Sequence, residues 1–272
     1  MKDKDCIEFL QWALPQLHPS WRGFRRVRGQ VCKRVQQRLR ELELPDIFAY
    51  RRYLEEHTDE WAAFDLCCRI TISRFYRDRS LFDCLRQQVL PILAQQVREQ
   101  GKAIWIWSAG CASGEEAYTL NILWKSVIQP QFPDVSLHIV ATDVNSQMLE
   151  RAGIGCYRPS SLKELSPEYR ELAFEEIEQQ FCIRPKFQDG IYFMQQDIRT
   201  TVPKQTFHLI LCRNLVFTYF DESLRQSVLH QIVQQLQPGG FLMLGKHERL
   251  PDGFSAVMLY SENLYRRACS GS

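Results

Sequence analysis

Apolar residues recur at helical spacing through most of the first hundred positions. Ile7, Leu10, Leu14 and Leu17 form one series, and Phe24, Val27, Val31, Val35, Leu39 and Leu42 form a second. Pro45 and Asp46 restart the chain into a third helix carrying Phe48 and Leu54, and a fourth is predicted around residues 61–68. From 79 to 99, Leu85, Val89, Leu93 and Val97 mark a longer helix despite Pro91 inside it. After Gly101 the pattern changes to short apolar runs, at 104–107, 137–141, 191–194, 207–212 and 241–244, bounded by turn residues. Amphipathic stretches alternate with them, the clearest at 114–127 and 223–236; Asp221 is the expected cap of the latter and Pro238-Gly239-Gly240 its stop. Residues 254–267 leave no room for a useful helix and read as a hairpin.

This alternation predicts an α/β fold: an open, mostly parallel sheet with an antiparallel edge hairpin, preceded by a small all-α domain. The expected division is 1–70 helical, 71–100 a linker and connecting helix, and 101–272 the ligand-binding domain with an insertion at 159–190. The insertion reads mainly as helix, 167–180, with extended pieces around 181–184 and 190–194.

Composition changes this picture little. With 45% apolar, 24% charged and 12% aromatic residues the chain is not wholly disordered. Ten cysteines are scattered singly apart from Cys67 and Cys68, with no CxxC pair and no metal-ligand grouping. The amino terminus lacks the pattern of a secretory signal, and no apolar run reaches membrane-spanning length. Reduced thiols, mostly packed in the core, and a cytoplasmic location are therefore expected. Charge is uneven: between positions 22 and 40 lie Arg22, Arg25, Arg26, Arg28, Lys33, Arg34, Arg38 and Arg40 with no acid, which leaves the rest at −6 of a formal net +2.

The candidate chemistry sits in the loop after the first strand, within the segment 104–118, IWIWSAGCASGEEAY. A dinucleotide site needs G-x-G-x-x-G and a phosphate at the helix start. Here the glycines are Gly110 and Gly114 only, Glu115 and Glu116 repel phosphate, and there is no phosphate-binding G-x-x-x-x-G-K-[ST]. S-adenosylmethionine, which carries an ammonium, a carboxylate and a sulfonium, suits the loop better. Ala109 and Gly110 offer it backbone, Glu115 an acceptor for the ammonium, Asp143 an acceptor for ribose hydroxyls, and Asp197 one for the adenine amine with Ile198 against the ring. Singly, each acid has an ordinary reading: the macrodipole favours glutamate in a first turn, and Asp143 could cap the next helix. Three acids at three strand ends is the less ordinary observation.

With these residues in view, the chain resembles the chemotaxis receptor methyltransferases (CheR-type), which esterify receptor glutamates with S-adenosylmethionine on a class I methyltransferase fold. The similarity spans about residues 23–267 and is strongest in Phe75-Tyr76-Arg77-Asp78, in 107–118, in Ala141-Thr142-Asp143, in Gly155-Cys156-Tyr157-Arg158, in Cys212-Arg213-Asn214 and in Tyr265-Arg266-Arg267. The resemblance implies that Thr71, Ser73 and Arg77 belong to a linker crossing the methyl-bearing end of the cofactor. It also implies that Asn214 and Leu215 contact the cofactor, and that Arg77 and Tyr219 are the catalytic candidates. It makes an acidic helical receptor or another signalling protein the expected partner of the basic helix. Nucleic acid is disfavoured because no aromatic platform accompanies the arginines, and the oligomeric state is left open.

The chain departs from the family at three places. Gly245-Lys246-His247-Glu248 stands where Gly-His-Ser-Glu is usual, Tyr219 comes one residue later than expected after Asn214, and the insertion reads as helix where tail-tethering relatives carry a small β-subdomain. The competing functions are methylation of a small molecule or of another protein side chain, and a cofactor-binding sensor or scaffold without catalysis.

Overall fold

Five of the apolar runs become parallel strands of one sheet in a computed structural model that describes residues 2–268. In chain order the strands among these residues are β1 (Ile104–Ala109), β2 (Leu137–Asp143), β3 (Cys156–Tyr157), β4 (Phe174–Ile177), β5 (Gln180–Ile183), β6 (Ile191–Gln195), β7 (Phe207–Cys212), β8 (Leu236–Leu244), β9 (Val257–Ser261) and β10 (Leu264–Arg267). The large sheet runs β6-β2-β1-β7-β8-β10-β9, parallel through β8, and the expected hairpin supplies its antiparallel edge. All six residues of β7 are buried, which explains the absence of polar alternation there.

The chain divides into two compact units, Met1–Thr71 with Thr218–Arg225, and Ile72–Phe217 with Gln226–Ser272. The first is helical, with Asp3–Ala13, Arg28–Glu41, Ile47–Glu56 and Glu60–Cys68 packed around Phe9, Leu10, Val31, Val35, Leu54 and Phe64. Asp46 caps its third long helix by accepting from the Ala49 N–H at 2.8 Å. In the second unit the helix predicted at 79–99 forms as Arg79–Cys84 and Leu90–Glu99, joined by a π-turn at Leu85–Val89 just before Pro91. The loosened turn accommodates the proline that an uninterrupted α-helix would resist.

The insertion overturns the helical expectation. Pro167–Ala173 is helix, but β4 and β5 follow as a hairpin, and with β3 they make a three-stranded antiparallel sheet in the order β3-β5-β4. The turn residues Glu178 and Gln179 both have positive φ, 48° and 64°, the twist that two-residue hairpins demand. Glutamate and glutamine carry helical propensity and no turn signal, so cross-strand pairing outweighs the local preference. Pro238-Gly239-Gly240 likewise does not separate two elements, because the helix Glu222–Gln235 passes directly into β8.

Four cysteines are not thiols, contrary to expectation. Cys6–Cys32 joins two packed helices with Cα atoms 6.2 Å apart, and Cys156–Cys182 joins directly opposed residues of β3 and β5. Each pair is 26 residues apart in sequence, so only the tertiary pairing reveals them. Cys67, Cys111 and Cys212 are buried thiols, and burial pushes each up in pKa. No described helix is long and apolar enough to cross a membrane.

Candidate active site

Register aligns the ends of the parallel strands: Ala109 lies beside Thr142 and Cys212, Asp143 beside Gln195, and Cys212 beside Leu244. The chain order reverses between β1 and β7, the kind of switch point where open α/β sheets receive ligands. The loops carrying Gly110, Asp143, Asp197, Asn214 and Gly245 therefore open along one edge.

In the first loop the Gly110 and Cys111 N–H groups both donate to the Thr142 carbonyl, at 2.8 and 2.9 Å, and the next N–H, of Ala112, donates to Asp143 Oδ2 at 2.9 Å. Gly110 has φ 78°, the left-handed conformation that favours glycine, and a Cβ there would lie 2.6 Å from Leu215 Cδ2, so residue 215 packs directly on the turn. Tyr157 braces the loop from the GCYR segment by donating to the Ser113 carbonyl at 2.6 Å.

Glu115 opens the helix Glu115–Leu123 and is 2% exposed. Ser113 Oγ sits 3.0 Å from both of its carboxylate oxygens, and the Ser73 hydroxyl adds a third bond from the linker. Burial nevertheless holds its pKa above the ordinary carboxylate value. A buried acid served by hydroxyl and backbone donors, with no cation among its hydrogen-bond partners, is chemically matched to an ammonium. Asp143 takes the Asn145 N–H on Oδ1 at 2.9 Å, while the helix after it is capped by Asn145 itself. Asp143 is thus the brace of the loop.

Asp197 follows β6, beside Asp143 through the bond from Gln196 N–H to the Asp143 carbonyl, and Ile198 is buried after it. Its carboxylate receives a forked contact from Arg199, at 2.7 Å for the closest pair. Asn214 adopts φ 53° and donates its N–H to Glu248 Oε2 at 2.8 Å, which also takes the Gly245 N–H at 2.7 Å. Arg77 is half-buried, with Nη1 donating to the Ile72 carbonyl at 2.9 Å. Thr71, also half-buried, is the last residue of the helical unit's first segment. Tyr219 is placed in that unit, its ring 5.0 Å from Phe24 and its carbonyl accepting from the Ser20 N–H.

Sequence reasoning missed Glu248, Arg213, Glu116 and Asp78 as a supporting set. All four lie in quoted motifs, but nothing in a motif tells which charges pair. The departures from the family's usual stretch fall on Lys246 and His247, which are exposed, whereas Gly245 and Glu248 are buried. Glu248→Ala is expected to cost about 3 kcal/mol in chemical denaturation, because the buried Gly245 N–H and the part-buried Asn214 N–H lose their acceptor. His247→Ser is expected to stay within about 0.5 kcal/mol of the parent. Equal losses in the two variants would refute this assignment.

The family described as "CheR methyltransferase, SAM binding domain" matches residues 71–262. Among relatives, a chemotaxis protein methyltransferase of Listeria monocytogenes is 36% identical over 66% of each chain, and one of Escherichia coli is 30% identical over 81% of this chain and 76% of that one. A 104.1 kDa protein of Rhodobacter capsulatus is 30% identical over 84% of this chain. The chain thus spans just under two thirds of the Listeria relative and 24% of the Rhodobacter one. Of the solved structures, the N-methyltransferase NodS of Bradyrhizobium japonicum matches at a TM-score of 0.34 and 14% identity, over 67% of this chain and 97% of that one.

Proposed function

This chain belongs to the CheR family of S-adenosylmethionine-dependent methyltransferases, and on that premise we propose that it O-methylates glutamate carboxylates of an acidic, helical receptor-like protein. The observation that carries the reading is the occurrence in one linker-and-loop assembly of a buried acid, Glu115, bonded by hydroxyls of Ser113 and the linker's Ser73, and a half-buried guanidinium at Arg77, whose remaining donors make no hydrogen bond among the described residues. Glu115 and Asp143 would hold S-adenosylmethionine, with Asp197 and Ile198 at the adenine and Asn214 and Leu215 on the β7 side; the Gly110, Cys111 and Ala112 N–H groups, expected from the sequence to face the ligand, are instead spent on Thr142 and Asp143. When bound, that group supplies an activated methyl which an already ionised carboxylate accepts without a general base. Arg77 orients the carboxylate and, with the linker, shields it from water.

The partner surface is carried by the helical unit. Arg28 is committed to Asp3, Arg34 to the carbonyls of Cys67 and Arg69, and Arg38 to Glu60 and Glu41. Arg22, Arg25, Arg26, Lys33 and Arg40 are exposed and have no ion pair among the described residues, a cationic surface suited to acidic helices. A cytoplasmic location is part of the same proposal, since that is where the methyl donor and receptor signalling tails meet; in that reducing compartment the Cys6–Cys32 and Cys156–Cys182 pairs are expected to open to thiols.

Two measurements test the reading. Incubation of a receptor cytoplasmic fragment with tritiated S-adenosylmethionine should label it with methyl groups that alkali releases as volatile methanol; base-stable labelling would sink the ester assignment. Affinity for S-adenosylhomocysteine should be full at neutral pH and fall on acidification, starting above the ordinary carboxylate range, because the raised pKa of Glu115 brings in its protonated form early. For the unliganded fold the sign is opposite: the contribution of protonated Glu115 is present below the ordinary pKa and lost as pH rises through the raised one. The Glu115→Gln variant should bind more weakly and show a flattened acid limb in calorimetric titrations.

A further inference from the structure

Arg213 is buried, its side chain 4% exposed, and lies between two carboxylates. Nη1 meets Glu116 Oε2 at 2.7 Å and Nη2 meets Asp78 Oδ2 at 2.7 Å, while Nη2 also donates to the carbonyl of Arg77 at 2.7 Å. Glu116 is in turn held by the Ser108 hydroxyl of β1 at 2.7 Å, and Asp78 receives the backbone N–H of Lys246 from the loop after β8. Burial works against the charge on Asp78, but Arg213 and Arg77 together hold its pKa below the ordinary value. Arg213 remains charged because the two acids outweigh its own desolvation.

The backbone these bonds grip is unusual. Tyr76 and Asp78, on either side of Arg77, have φ 57° and 63°; aspartate tolerates this left-handed conformation, but a bulky tyrosine seldom takes it. Tyr76 is fixed by its N–H to Thr119 Oγ1 at 3.1 Å and its hydroxyl to Asp83 at 2.8 Å. Strained backbone persists where surrounding structure over-determines it. A buried charge triad is also a poor source of stability, since apolar replacements of the same shape commonly do as well. Both observations point to placement of residue 77, whose guanidinium spends one donor on the Ile72 carbonyl and keeps the others.

We propose that Arg213 is a positioning residue for methyl transfer: by bracing Asp78 and Glu116 and taking the Arg77 carbonyl, it fixes the turn that presents the Arg77 guanidinium. It takes no part in holding S-adenosylmethionine. The inference rests on the reading of Arg77 as the group that orients the acceptor carboxylate.

The test compares Arg213→Lys, Asp78→Asn, Arg77→Ala and the double variant R77A/R213K in the full chain. Hydrogen–deuterium exchange should rise in peptides covering 75–82 in Arg213→Lys and Asp78→Asn, with the loop at 110–114 unchanged. With a receptor cytoplasmic fragment as acceptor, kcat should fall roughly tenfold to a hundredfold in Arg213→Lys, while calorimetric affinity for S-adenosylhomocysteine stays within about twofold. In the Arg77→Ala background the Arg213→Lys change should cost nothing further. Unchanged exchange at 75–82 overturns the proposal, as do losses that multiply in the double variant or a parallel loss of S-adenosylhomocysteine affinity. Wild-type turnover by Arg77→Ala instead refutes the reading of Arg77, a result seen without reference to Arg213, and removes the proposed catalytic role with it.

Discussion

Methyl transfer by the Arg77→Ala variant is expected to fall roughly a hundredfold, with affinity for S-adenosylhomocysteine changing by less than about tenfold. The reason is geometric. A carboxylate in a site stripped of water needs its negative charge matched and its attacking oxygen aimed, and a planar fork of N–H donors does both. Arg77 spends one donor on the Ile72 carbonyl and offers the rest. Arg77→Lys keeps the charge but loses the fork, so a loss of roughly tenfold is expected for it. Single-turnover labelling of a receptor fragment, run beside calorimetry, separates the two quantities. An Arg77→Ala protein that labels at the parent rate would remove the carboxylate-orienting role altogether.

Asp143→Ala should weaken binding of S-adenosylhomocysteine by roughly a hundredfold, about 2.7 kcal/mol. The carboxylate has two duties. It accepts the N–H groups of Ala112 and Asn145, and it is the expected acceptor for ribose hydroxyls. Ala112 has φ 47°, a conformation alanine holds at a cost, so removing its acceptor releases the loop as well as the ligand contact. Asp143→Asn retains one oxygen but presents an NH₂ group to one of its two donors, and about half of the free-energy loss is expected. Isothermal titration gives both values. Parent-like affinity in the alanine variant would contradict the placement of the ribose at β2.

What the sequence discloses here follows from which interactions are local. The five apolar runs, the cap at Asp221, whose Oδ1 takes the Leu224 N–H at 2.8 Å, and the edge hairpin are each written within about ten consecutive residues. Gly110, Glu115 and Asp143 were likewise legible, because strand ends in a parallel sheet converge whatever the intervening sequence. The hairpin at 174–183 was hidden because Glu178 and Gln179 take a turn conformation that glycine or asparagine usually advertises. The disulfides and the bonds of Arg213 join residues 26 to 136 positions apart, and pairing at that range is decided by packing rather than by local pattern.

The helical unit draws on two separated stretches of chain, and this bears on the order in which it can form during synthesis. Ser20 N–H donates to the Tyr219 carbonyl, Asp221 N–H to the His18 carbonyl, Pro19 bridges to Phe220, and the Tyr219 ring covers Phe24. Residues 1–71 leave the ribosome well before this closing segment, which is complete only when position 225 has been translated, some 150 residues later. For that interval the nascent helices carry an uncovered Phe24 and unsatisfied backbone groups around His18 and Ser20. The helical unit is therefore completed only after residues 72–217, the greater part of the second unit, have been made.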